Sequence, residues 1–308
     1  TGFIGRNLVE ALARNTAFDV HAVRFSRAQY TCPNVTWHQA DLRDAMTIGR
    51  LLAGVDILIQ AAATTSGAKD IVTRPYIHVT DNAVMNSLLL QSAFEHKVKH
   101  FVFFSCSIMY PSSETPWKEG QWDIGAPLEP SYFGAAWTKI YIEKMCAFFA
   151  GLGVTRHTVI RHSNIYGPYD KFDLERSHVF GATVAKVMTA TNGVIPVWGT
   201  GDEARDLLHI DDLVRFVELA IERQSSAFEL IHVGTGTAVR IKDLVAKIIA
   251  ASGRAIRIEH DLTQPTIPTS LSLNCEYAQK LIGWQPQISL DEGIRRTLAW
   301  WRSHIGAP

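Results

Sequence analysis

Two hydrophobic periods alternate along the first half of the chain. Apolar runs of strand length occur at Phe18–Val23, Val35–His38, Ile57–Ala61, Phe101–Ser105 and Thr155–Arg161. Between them, apolar positions recur at helical spacing over Arg6–Ala13, Ala45–Leu52, Asn82–Phe94 and Ala136–Phe149. Strands this apolar are not meant to face water on either side. Their alternation with helices predicts an α/β fold with a parallel sheet covered on both faces. The second half is more mixed. Turn-rich stretches (163–173, 197–206, 261–270) separate two clear helices, Ile241–Ala251 and Leu290–Trp301. There is no internal repeat and no low-complexity linker, so the two regions are expected to interleave rather than lie end to end.

Composition narrows the function. The 308 residues carry 30 Lys plus Arg and 30 Asp plus Glu, a net charge of zero. That argues against bulk binding to nucleic acid or a membrane surface, which usually needs a basic excess. The apolar runs 57–63 and 101–104 are far shorter than the ~20 residues of a membrane span. Cys32, Cys106, Cys146 and Cys275 are scattered without a CxxC pair. This predicts reduced thiols, a cytoplasmic location and no metal site.

Candidate chemistry begins at the first residues. Gly2 and Gly5 stand three apart and a helical pattern follows at once through Leu8, Val9 and Leu12. Glycines at a strand-to-helix turn permit a tight bend and let the backbone approach a pyrophosphate, which then faces the helix N-terminus. A plain helix start is the other reading. Such a turn needs a strand before it, and in the usual strand order that strand is central. About ten residues of strand and turn are therefore expected ahead of Thr1. A sheet without them would leave two unpaired inner edges, fold poorly and bind dinucleotide weakly. The second strand region ends Arg24-Phe25-Ser26-Arg27, with no acidic residue for a ribose 2′-hydroxyl. Arg24 and Arg27 suit a 2′-phosphate instead, so NADP is expected over NAD. Solvated surface arginines are the alternative.

Ten segments in order resemble the extended short-chain dehydrogenase/reductase (NAD-dependent epimerase/dehydratase) family, whose members act on nucleotide sugars. They are TGFIG (1–5), ADL (40–42), QAAAT (60–64), DNAVMNSLLLQSA (81–93), FFSCSIMYP (103–111), TKIYIEKMC (138–146), SNIYGPYDKFD (163–173), RDLLHIDDL (205–213), HVGTG (232–236) and LIGWQPQISLDEGI (281–294). The resemblance implies a Rossmann-type doubly wound sheet over 1–162, with 205–235 returning to it. A smaller mixed α/β substrate domain would comprise 163–204 and 236–308. Within the family, NIYGPYDKF, Ser177-His178-Val179 and VWGTG with Arg205 look most like the branch that acts on 4-keto-6-deoxyhexoses.

The family roles carry over as follows. Gly2, Phe3, Ile4 and Gly5 would meet the pyrophosphate, and Asp41 and Leu42 the adenine. Ala61, Ala62 and Ala63 would let the backbone approach the cofactor, although close strand–helix packing would also favour small residues there. Asn82 would order the backbone of the site, or cap a helix. Asn164 and Ile165 would line the nicotinamide end, and His178 would sit near the sugar. Asn164, Lys186, Trp198 and Arg205 would contact the sugar nucleotide, Arg and Lys suiting its phosphates and an aromatic face its base or ribose. Trp198 could equally be a core residue. Members of the superfamily commonly dimerise through a four-helix contact, which the apolar content of 82–94 and 136–149 allows.

The catalytic positions depart from the family pattern. The family uses a Tyr four residues before a Lys. The Lys lowers the phenol pKa and holds the nicotinamide ribose, while the Tyr exchanges a proton with the sugar. Lys139 is the family Lys, but Ala135 occupies the Tyr position. Tyr132 is the nearest upstream phenol, seven residues away. On a continuous helix that spacing keeps both on one face but separates them by roughly 10.5 Å, against ~6 Å for four residues. Tyr132 is thus either the acid, given an irregular helix start at Pro130–Ser131, or a ring packed over that start. The family Ser/Thr position falls on Cys106, a weak donor, flanked by Ser105 and Ser107. The Cys that pairs with the His for epimerisation in the branch corresponds to Ile108. The expected function is hydride transfer between NADP(H) and C4 of a 4-keto-6-deoxy or related hexose on a nucleoside diphosphate. The rival is a nucleotide-sugar-binding protein that lost the family Tyr and with it most turnover.

Overall fold

The computed structural model describes residues 1–65, 73–174, 177–264 and 266–306. In chain order the strands are β1 (Val20–Arg24), β2 (Val35–Gln39), β3 (Ile57–Gln60), β4 (His100–Phe104), β5 (Arg156–His162), β6 (Asn164–Tyr166), β7 (Val194–Trp198), β8 (Ala204–His209), β9 (Phe228–Val233), β10 (Ala238–Arg240) and β11 (Arg257–Asp261). The helices are α1 (Phe3–Leu12), α2 (Ala45–Leu52), α3 (Thr80–Glu95), α4 (Phe133–Gly151), α5 (Val179–Thr189), α6 (Ile210–Arg223), α7 (Ile241–Ser252), α8 (Glu276–Ile282) and α9 (Leu290–His304).

The most apolar runs make the centre. Strands β3, β4, β5 and β9 form one parallel sheet in that order. All five residues of β4 are buried, as a strand covered on both faces requires. Its side chains alternate between two cores. Phe101 and Phe103 pack with Ile48, Leu89, Ile142 and Cys146 under α2, α3 and α4. Val102 and Phe104 face the other way, toward Leu8, Leu213, Phe216 and Trp284 under α1, α6 and α8. Burying each such Phe stabilises by about 1.5–3 kcal/mol. A third core, with Tyr166, Phe180, Val184, Leu244, Ile248, Leu298 and Trp301, lies under α5, α7 and α9.

The other strands form smaller sheets. β1 and β2 pair in parallel, and no hydrogen bond among the described residues joins β1 to β3. β8 lies between β6, parallel to it, and β10, antiparallel. β7 pairs with β11. The chain leaves the central sheet after β5 and returns in β9. No helix among the described residues is long and apolar enough to cross a membrane.

Two helices start three residues earlier than periodicity suggests. α1 begins at Phe3 rather than Arg6, directly after the extended Gly2. α4 begins at Phe133 rather than Ala136, preceded by a tight 3-10 turn over Pro130–Tyr132. Pro at the first position of that turn fixes its backbone angle.

Candidate active site

The carboxyl ends of the parallel strands and the start of α1 meet at one edge, where open α/β sheets bind ligands. No side chain caps α1, so its first N–H groups remain available. A cavity of about 580 Å³ opens there, lined by residues including Gly2, Phe3, Arg6, Arg27, Tyr169 and Trp300. Arg6 is clasped between the rings of Tyr30 and Tyr169, at 4.1 and 3.7 Å. A β-carbon built on Gly5 would stand 3.8 Å from that of Ala61, so helix start and strand end touch. Uncapped N–H groups, nearby guanidinium groups and the short side chains of Ala61, Ala62 and Ala63 fit a dinucleotide's diphosphate.

The two arginines after β1 separate. Arg24 donates to Gln39 Oε1 at 2.8 Å, whereas Arg27 reaches the cavity at α1. Asp41 lies in an exposed ion pair with Arg43 (2.7 Å), whose hydrogen bonds hold its carboxyl below the usual range. Arg43 also pairs with Asp81 at 3.0 Å, and Leu42 packs toward the core. Asn82 does not cap its helix. Its amide accepts from Thr64 N at 3.0 Å and donates to Thr64 O at 3.0 Å and His78 O at 2.9 Å. It thereby fixes the segment that follows Ala61–Ala63.

Around β4 the three consecutive candidates separate. Ser105 points inward and donates to Glu143 Oε1 at 2.5 Å, so its hydroxyl is engaged in the interior. Cys106 is deep-set but accessible, and burial pushes its thiol pKa up, against the opposing charge of Lys139. Ser107 accepts from Tyr110 N at its carbonyl, and its hydroxyl has no protein partner among the described residues. Lys139 donates from Nζ to Phe104 O at 2.7 Å, and burial lowers its pKa. Tyr132 ends the 3-10 turn, outside α4, so the rise of a continuous helix does not set its distance from Lys139. Burial raises its phenol pKa, and the charges of Arg205 and Cys106 act on it. Cys106 thus lies within electrostatic reach of both Lys139 and Tyr132.

His178 stands exposed just before α5, and desolvation by the surrounding protein and the charge of Lys171 lower its pKa to about 4. It is a neutral imidazole at neutral pH. Ile165 is buried in the core beside α1 and α6. Asn164 donates to Asp206 O at 3.3 Å. Lys186 donates to Pro196 O at 2.8 Å, with Nζ 5.6 Å from the ring of Trp198. Arg205 donates to the carbonyls of Ala204, Ile267 and Thr269, tying the segment before α8 over this side.

Sequence reasoning missed a buried polar chain below the site. Glu143, one turn after Lys139, receives Ser105 and a bidentate Arg161 (3.0 and 2.6 Å). Arg161 also donates to Tyr110 Oη at 2.6 Å. Tyr110 in turn bonds His232 Nε2 at 2.6 Å, and His232 Nδ1 meets Trp117 O at 2.9 Å. Its one advance signal was a Glu and an Arg within otherwise apolar helix and strand patterns. His162, at the end of β5, was missed too; nothing in its local spacing marks it.

Known proteins resemble this chain in sequence and fold. A model of the NAD dependent epimerase/dehydratase family matches residues 1–234. GDP-L-fucose synthase 1 of Arabidopsis thaliana is 30% identical over 262 residues, 80% of this chain and 77% of that one. The GDP-L-fucose synthase of Azorhizobium caulinodans is 28% identical over 309 residues, 97% and 93% of the two chains. Among solved structures, UDP-glucose 4-epimerase of Thermotoga maritima, in a complex with UDP-glucose, superposes with a TM-score of 0.87. It covers 99% of this chain and 97% of that one at 24% identity, and supports the fold.

Proposed function

The chain belongs to the NAD dependent epimerase/dehydratase family, and from that premise we propose a nucleotide-sugar oxidoreductase/epimerase that moves hydride between NADP(H) and C4 of a 4-keto-6-deoxyhexose carried on a nucleoside diphosphate. One observation carries the reading: Cys106 sits within reach of both Lys139 and Tyr132. A lysine and a phenol thus each act electrostatically on one thiol, although Ala135 stands where the family has Tyr.

NADPH, when bound, supplies the hydride. Gly2 to Gly5 receive the diphosphate at the start of α1, and Arg27 the 2′-phosphate. Asp41 and Leu42 flank the adenine; Ala61–Ala63, held through Asn82, let the backbone approach. Lys139, fixed by Phe104 O, orients the nicotinamide ribose. The Ser107 hydroxyl holds the sugar carbonyl oxygen, and Tyr132 gives it a proton. Neutral His178 accepts a proton near the sugar. Lys186 and Arg205 bind the sugar nucleotide's phosphates, Trp198 its base or ribose, and Asn164 and Ile165 close the nicotinamide end. We infer a homodimer through the exposed faces of α3 and α4.

Ala135 supports a second reading, a nucleotide-sugar-binding protein with little turnover. The purified protein, given NADPH and GDP-4-keto-6-deoxymannose, should consume the nicotinamide absorbance. Tyr132→Phe should slow it 100-fold or more, in the range of one general acid. Full turnover in the variant overturns the role of Tyr132. NADPH binding without turnover on any 4-keto sugar nucleotide favours the binding protein.

A further inference from the structure

Resting on the cofactor reading above, we propose that His162 is a specificity residue for the cofactor, its Nε2 accepting an N–H of the nicotinamide carboxamide. The residue sits where β5 ends, at the carboxyl edge of the parallel sheet. Its ring stands 6.3 Å from that of Phe104, whose carbonyl holds Lys139. The charges of Lys139 and His178 both act on it, so these groups lie in one neighbourhood. The tautomer is set by the backbone: Nδ1 is 2.7 Å from Ser163 O, a carbonyl that can only accept. Nδ1 therefore carries the proton and Nε2 presents a lone pair. Nε2 has no partner among the described residues, and it is absent from the buried unpartnered atoms, so it is accessible to an incoming group.

Chemistry then selects the ligand group. With its proton committed to Ser163, neutral His162 has none to give a sugar ketone and is no substitute for the family Tyr. An acceptor here matches a donor in the cofactor. With the ribose on Lys139 and the ring toward Asn164 and Ile165, the carboxamide is the part of the nicotinamide that offers N–H groups. The imidazole is neutral at neutral pH, burial lowering its pKa to about 4, so the lone pair is available there.

The test needs no turnover. Equilibrium binding of NADP+ is compared with that of its 3-acetylpyridine analogue, which keeps the carbonyl but has no N–H. The protein should bind the amide roughly fivefold to tenfold more tightly, the range of one hydrogen bond. His162→Leu should bring the two affinities together, while His162→Gln, which keeps an acceptor, should restore part of the gap. Unchanged binding of adenosine 2′,5′-bisphosphate shows that the variants fold and retain the other half of the site. An equal preference in the parent and His162→Leu overturns the proposal. Failure of the parent protein to bind either dinucleotide or the bisphosphate overturns the cofactor reading itself, and the proposal with it.

Discussion

Replacing Glu143 by Gln tests the ion pair below the site. The Glu143 and Arg161 side chains are 3% and 5% exposed and meet at 2.6 Å. Arg161 is otherwise served by the Tyr110 hydroxyl and by the rings of Tyr110 and Trp122, none of which carries a compensating charge. The substitution removes the carboxylate's charge, turns one acceptor into a donor facing the guanidinium, and leaves that cation buried. Breaking one side of such a pair costs about 3–5 kcal/mol. For a chain of this length that corresponds to a fall of roughly 5–8 °C in the melting temperature. Differential scanning calorimetry on Glu143→Gln, Ser105→Ala and the double variant Glu143→Leu/Arg161→Met reads it. Ser105→Ala forfeits one hydrogen bond to a charged acceptor, about 1.5–3 kcal/mol. The double variant removes the stranded charge and should recover at least half of the Gln loss. A melting point of Glu143→Gln within 2 °C of the parent would refute the reasoning. A double variant no better than the single one would show that the cost is not an uncompensated charge.

Two further outcomes are expected. Arg27→Ala should weaken NADPH binding about tenfold in a fluorescence titration while leaving NADH within twofold, since only NADPH carries the 2′-phosphate; an equal loss for both rejects that assignment. Phe148 is 57% exposed on α4 and Tyr141 43%. Phe148→Glu should halve the mass seen by light scattering, and a parent protein that is already monomeric removes the proposed dimer.

The fold was legible because its signals are local. The apolar run at Phe101–Ser105 announced a strand buried on both faces, and Gly2 with Gly5 announced the helix start. What stayed hidden depends on contacts between distant segments. Glu143, Arg161, Tyr110 and His232 become neighbours only after α4, the β4 loop, β5 and β9 have assembled, and no spacing reports this. The register of three adjacent polar residues was hidden for a related reason. Which of Ser105, Cys106 and Ser107 turns inward depends on where β4 ends and on a carboxylate 38 residues later. The place of Tyr132 depended on where α4 begins. Pro130 hinted at a turn there, but apolar periodicity placed the helix start at Ala136, three residues after the observed one.

Arg205 is already occupied. Its guanidinium holds carbonyls at Ala204, Ile267 and Thr269. An incoming diphosphate that recruits it must take it from those neutral acceptors. The 266–271 stretch gives up its bonds at Ile267 and Thr269 in the same event, while Ser270 keeps its own to Ala204, Ser112 and Ser113. Capture of the sugar nucleotide then becomes an exchange of partners. A capture rate limited by that exchange would level off as substrate concentration rises.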